Sequence, residues 1–200
     1  MMQDRTANLK RIRDEVWNFT DSPLYTYRKN NHYYPVLGEG NHEASIMFIG
    51  EAPGKNEAET GKPFCGAAGK VLDTLLSSIG LDRKNVYVTN IVKDRPPNNR
   101  DPEPDEIALY APFLKRQIAI IQPKVIATLG RFSMWFILDS FGCTEKNQSI
   151  SQLHGKCIDA KADYGPIHIV PLYHPAVALY KASALMDLKK DFQVLKQFLA

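Results

Sequence analysis

Three polar residues stand where apolar runs stop. Glu51 follows Ile46–Ile49 and Gly50, Asn90 closes Val86–Asn90, and His174 comes just after Ile167–Leu172. A buried strand that ends in glycine and then presents a carboxylate reads as a ligand site at the carboxyl edge of a parallel sheet. Each residue alone carries little. A loop Glu is usually solvated, an Asn at a strand end is more often a turn former or cap, and a His before Pro is more often on the surface or satisfied in the core. Parallel topology would put all three at one edge, and that shared placement raises them above their separate readings.

The elements that must position them follow from periodicity. Leu9, Ile12, Val16 and Phe19 are spaced for a helix over about 8–19. Residues 21–40, with Pro23, Pro35, Gly38 and Gly40, read as a connector. Strands are expected at 45–49, 86–90, 124–129 and 167–172. Between them, helices are expected from Phe64 to a C-cap at Gly80, over 106–121, through Phe132–Leu138, and at the end over 183–199. Four prolines keep 93–104 irregular, and 148–165 reads as loop with room for one short strand. Alternating strands and helices predict one α/β domain over 1–200, a four-stranded, mainly parallel sheet flanked by helices, with residues 1–40 packed on it.

Composition excludes several classes. The chain has 200 residues, 44% hydrophobic and 24% charged, with net charge +3. That is globular and only mildly basic, compatible with an anionic partner without proving one. No apolar run is long enough for a bilayer, and the N-terminal stretch MMQDRTANLKRIRDEVW lacks an apolar leader core. Cys65, Cys143 and Cys157 are too far apart for metal-ligand spacing and read as free thiols in a reducing compartment. GEAPGK at 50–55 is one residue short of a nucleotide P-loop and runs into Asn56, and the dinucleotide fingerprint is absent.

Six segments in order carry a resemblance: GEGN at 38–41, GEAPG at 50–54, GKPFCGAAGKVLD at 61–73, VTNIVKDRPPNNR at 88–100, LG at 129–130 and YHPA at 173–176. Together they resemble the family 4 uracil-DNA glycosylases, from about Pro23 to the C-terminus. The resemblance implies the uracil-DNA glycosylase fold and a base flipped out of the duplex into a fitted pocket. It implies that Phe64 stacks on uracil and that the Asn90 amide pairs with its O4/N3–H edge and disfavours cytosine. Main chain at Gly50, Glu51 and Ala52 would complete the cradle. His174 would face O2 of the leaving base, and Glu51 would place water or stabilise the cationic sugar. In the family 1 enzymes an aspartate occupies the position of Ala52, which leaves Glu51 as the carboxylate of this motif. Pro63 and Gly66 would let backbone approach DNA. Lys93, Arg95, Asn99 and Arg100 would hold phosphates, and Pro175, Leu179 and Tyr180 would form the segment that wedges in where the base leaves.

One departure stands out. The resembled family carries four cysteines that bind a [4Fe-4S] cluster, and the matching positions here hold Phe19, Ser22, Asp94 and Tyr110. None is a thiolate, so no cluster or other metal is expected. Phe19, Tyr25, Tyr27, Tyr33, Tyr34 and Tyr110 offer aromatic packing as its replacement. The expected activity is monofunctional removal of uracil from single- or double-stranded DNA, leaving an abasic site for base excision repair. The protein is expected to be a monomer in the cytoplasm, associated with the nucleoid and not with a membrane. Its alternatives are a DNA-binding relative that has lost catalysis, and a glycosylase shifted toward hypoxanthine or xanthine.

Overall fold

The computed structural model describes residues 4–181 and 183–199. Met1–Gln3, part of the stretch read as lacking a leader core, lie outside the described residues. Two helices open the chain, α1 (Arg5–Trp17) and α2 (Leu24–Asn30), and the short strand β1 (Glu39–Gly40) follows. Next come β2 (Ile46–Gly50), α3 (Lys55–Thr60), α4 (Ala67–Ser78) and β3 (Tyr87–Asn90). Then α5 (Pro104–Ile121), β4 (Val125–Leu129), α6 (Arg131–Ser140) and α7 (Ile150–Leu153) lead to the hairpin β5 (Ile158–Ala162) and β6 (Gly165–Leu172). The one-turn helix α8 (Val177–Tyr180) and α9 (Ala184–Phe192) close the fold.

The strands form one sheet in the order β1-β3-β2-β4-β6-β5. Its four inner strands are parallel, as expected, but two antiparallel edge strands make it six-stranded. Both edges lack the signal that betrays a buried strand. β1 is only Glu-Gly, and β5 alternates Ile158 and Ala162 with exposed polar positions. By contrast β2 and β4 are buried along their whole length, which is why their apolar runs were legible.

Side chains alternate across the sheet. Met47 and Ile49 join the layer of α1, α5 and α6, while Ile46 and Phe48 join Leu72, Leu76, Leu188 and Phe192 of α4 and α9. α5 starts two residues before its expected boundary, because Pro104 suits a first helical position and Glu103 and Glu106 form a capping box. The connector at 21–40 contains α2, whose inward positions are Leu24 and Arg28; a buried arginine hides that helix from a hydrophobic pattern. The closing helix is shorter than expected and passes into a 3-10 helix over Gln193–Phe198.

Candidate active site

The carboxyl ends of the parallel strands open into a cleft of about 470 Å³. Glu51, Ala52, Phe64, Asn90 and His174 all line it, so the strand-end residues do share one edge. Asn90 ends β3 and is 2% exposed. Its Oδ1 is buried and, among the described residues, has no hydrogen-bond partner. A buried acceptor left open costs about 1–3 kcal/mol, so this atom waits for a donor from outside the protein. Gly50 makes its placement possible. A Cβ there would meet Asn90 Oδ1 at 2.4 Å and the Phe64 ring at 2.7 Å.

Phe64 does not start a helix. It precedes α4 in the left-handed region, at φ 48°, where a non-glycine residue is strained. Several contacts hold it there. Arg83 donates to the Phe64 carbonyl at 3.1 Å and to Asp73 at 3.0 Å, and also grips the Pro63 carbonyl. Glu57, on α3, accepts the backbone N–H groups of Cys65 and Gly66 at 3.0 Å each, satisfying donors at the start of α4. Gly69 is required because a Cβ would lie 1.7 Å from the Phe64 carbonyl oxygen.

The His174 ring stacks on Phe64 with centroids 5.6 Å apart and planes at 30°. Burial pushes its pKa down to about 4 against a smaller upward pull from Glu57, so the ring is neutral near pH 7. The Ala176 N–H donates to Nδ1 at 3.2 Å. Nδ1 is therefore the acceptor, and the single ring proton sits on Nε2. Burial, reinforced by Asp101 and opposed by Arg131, raises Glu51 to about 7. The site thus pairs a neutral donor with a carboxyl group poised to titrate near neutrality.

The residues expected to meet DNA divide. Leu179 and Tyr180 are exposed on α8, Tyr180 at 90%. Asn99 and Arg100 line the cleft mouth, although Arg100 is bound to Glu106 at 2.6 and 2.9 Å. Arg95 is partly buried and donates to Asn99 and to the Tyr33 hydroxyl. Gly66 is half-buried at the N-cap of α4. One assignment is corrected: Lys93 is wholly buried and turned away from solvent. The Pro63 and Pro175 side chains are buried too. Glu57, Asp101 and Arg83 were missed. Their charges stand in polar segments that look like any solvated loop, and only the fold brings them to the cleft or to Phe64.

The four cluster positions also come together. Tyr110 packs edge-on against Phe19 at 5.6 Å and donates its hydroxyl to Asp94 at 2.6 Å. Arg28 donates to both Asp94 oxygens at 3.0 and 3.2 Å, and to the carbonyls of Val16 and Trp17. The Ser22 hydroxyl accepts from the Leu24 N–H. This set offers no sulfur and fills its own space, so it does not fit an iron–sulfur cluster. Cys65 and Cys157 are exposed and Cys143 is buried in the layer of α6. The aromatic packing is narrower than expected. Phe19 and Tyr110 form it with Phe113, whereas Tyr27 pairs with Tyr33 and Tyr34 with Trp17.

A profile described as the Uracil DNA glycosylase superfamily matches residues 37–200, and the chain belongs to that superfamily. It is 46% identical over 191 residues to a type-4 uracil-DNA glycosylase of Sulfurisphaera tokodaii, covering 95% of this chain and 84% of that one. It is 42% identical over 167 residues to a type-4 enzyme of Archaeoglobus fulgidus, covering 84% and 82%. A type-4 enzyme of Thermotoga maritima is 38% identical over 202 residues, covering 98% and 99%. Within the superfamily, this chain falls with the type-4 members.

Proposed function

We propose that this protein is a monofunctional uracil-DNA glycosylase, cutting the N-glycosidic bond of a flipped uracil and leaving an abasic site. The observation that carries the reading is the open Oδ1 of Asn90 beside Gly50 and Phe64. Uracil brings the donor this atom lacks, its N3–H, while the Asn90 amide nitrogen donates to O4. Cytosine presents an acceptor and a donor in the reverse order and is rejected. Phe64 offers its face to the base from a backbone held rigid before substrate arrives.

As the C1′–N1 bond breaks, its electron pair moves onto the base. Nε2–H of neutral His174 meets that charge at O2 without an ion having been buried first. Water bonds to C1′ and gives up its proton to the ionised form of Glu51, whose charge also faces the cationic sugar. Leu179 and Tyr180 fill the gap in the stack. We place the enzyme as a monomer on uracil-containing DNA, single- or double-stranded, in the cytoplasm near the nucleoid; its free thiols agree with a reducing compartment. Among the described residues no helix is long and apolar enough to cross a membrane.

The enzyme works without an iron–sulfur cluster, the Arg28–Asp94–Tyr110 set occupying that place. Anaerobically purified protein should contain neither iron nor sulfide; stoichiometric amounts of both would overturn this. The activity is tested with single- and double-stranded oligonucleotides carrying one uracil, hypoxanthine or normal base, followed by alkali. Strand cleavage at uracil is expected, and its absence defeats the reading.

A further inference from the structure

Lys93 is a buried charged side chain the function has not used. It is 0% exposed, and its ammonium touches only uncharged acceptors. These are Thr89 Oγ1 at 2.8 Å, the Asn90 carbonyl at 2.6 Å and Gln117 Oε1 at 2.6 Å. Each anchor is itself fixed. The Thr89 hydroxyl spends its proton on the Leu37 carbonyl at 2.6 Å, and Gln117 Nε2 donates to the same carbonyl at 2.8 Å. The Lys93 carbonyl accepts from the Val36 N–H at 2.7 Å.

Three acceptors around one nitrogen require three N–H groups. An ammonium has three and no lone pair, whereas a neutral amine would turn its lone pair on one acceptor. Burial alone would drive the proton off, and the three acceptors oppose that. The Asn90 carbonyl lies beyond the last residue pair of β1 with β3, Glu39 with Val88, so no neighbouring strand residue is registered against it on that side. Lys93 supplies the donor that a longer β1 would have offered.

We propose that Lys93 is a positioning residue for Asn90: anchored by Thr89 and Gln117, it fixes the Asn90 carbonyl and so aims the amide that reads the base. This rests on the uracil reading above. A lysine in a basic, proline-rich loop thus acts from inside the protein and not on phosphate. Displacing a substrate-positioning group by about 1 Å costs on the order of 100-fold in rate, so the effect is sought in excision itself.

The test is a double-mutant cycle read by single-turnover excision of uracil from an oligonucleotide with enzyme in excess. Lys93→Met should slow excision at least about 10-fold in the otherwise native protein. In the Asn90→Ala background it should change the rate by less than about 3-fold, because the residue through which it acts is gone. A purely structural loss would multiply equally in both backgrounds, and that result overturns the proposal, as does a native rate in Lys93→Met. If Lys93→Met fails to fold, Gln117→Met, which removes one anchor from α5, should show the same dependence on Asn90 at smaller amplitude; equal losses with and without Asn90 again refute it. Wild-type protein that releases no uracil defeats the function and this role with it, whereas multiplying losses in an active enzyme defeat only the role of Lys93.

Discussion

Replacing Glu51 with glutamine should stabilise the protein above neutral pH while crippling it. Burial raises this carboxyl from 4.5 to about 7. The folded state therefore holds a proton that the unfolded state releases between those values, and stability falls as pH rises through that window. Above about pH 7 the full cost of keeping the ionised group in the cleft is present; below about 4.5 there is none. The ceiling is about 3 kcal/mol at 1.36 kcal/mol per tenfold change in proton affinity. Glu51 is only half-buried, so solvent screening reduces this to about 1–2 kcal/mol. Glutamine imitates the protonated form and escapes the cost. For 200 residues, that is a gain of roughly 2–8 °C in melting temperature at pH 8, shrinking toward zero at pH 4.5. Excision should move the other way. In the wild type, kcat/KM should climb about tenfold per pH unit below 7 and level off above it, and in Glu51→Gln it should be about 100-fold lower with that limb gone. Scanning calorimetry at pH 5 and 8, with initial rates across the same range, decides it. An equal shift in melting temperature at both pH values, or a surviving rate limb near 7 in the variant, would refute the reasoning.

Asn90→Ala should lower excision by at least about 100-fold, since two hydrogen bonds to the flipped base are lost in a dry pocket, while denaturant unfolding shows little loss because Oδ1 was unpaired already. Arg28→Met should cost about 3–5 kcal/mol in denaturant unfolding, because it leaves the Asp94 carboxyl buried without its cation. Leu179→Ala combined with Tyr180→Ala should weaken binding to duplex DNA and slow excision from duplex more than from single strands, with melting temperature unchanged, as both side chains are exposed.

The parallel core was legible because β2 and β4 are buried on both faces, so β2 appears as an unbroken apolar run and β4 as one interrupted only by Thr128, each ended by glycine. The cleft was legible for a related reason: a polar residue just past such a run has one edge of the sheet to occupy. What escaped the sequence depends on partners far along the chain. Arg28 reaches Asp94 across 66 residues, and nothing in the local pattern of either marks a buried pair. Phe64 looked like the start of a helix because the sequence shows its apolar character and not its left-handed backbone.

Lys93 and Asp94 make the physical limit sharpest. In the sequence they begin a polar, proline-rich loop, and charge in such a loop reads as solvent or phosphate contact. In the fold both are 0% exposed, yet they do not neutralise each other. Asp94 turns to Arg28 and Tyr110, beside Phe19 and the end of α1, while Lys93 turns to Thr89, Asn90 and Gln117 beneath the cleft. The chain bends at 91–94 and the two side chains turn to different partners, so one short segment ties the N-terminal helices on one side and the base-reading strand on the other. A metal cluster at the first of these places would brace the same segment from the same side. The carboxylate at 94 lets hydrogen bonds to Arg28 and Tyr110 brace it there.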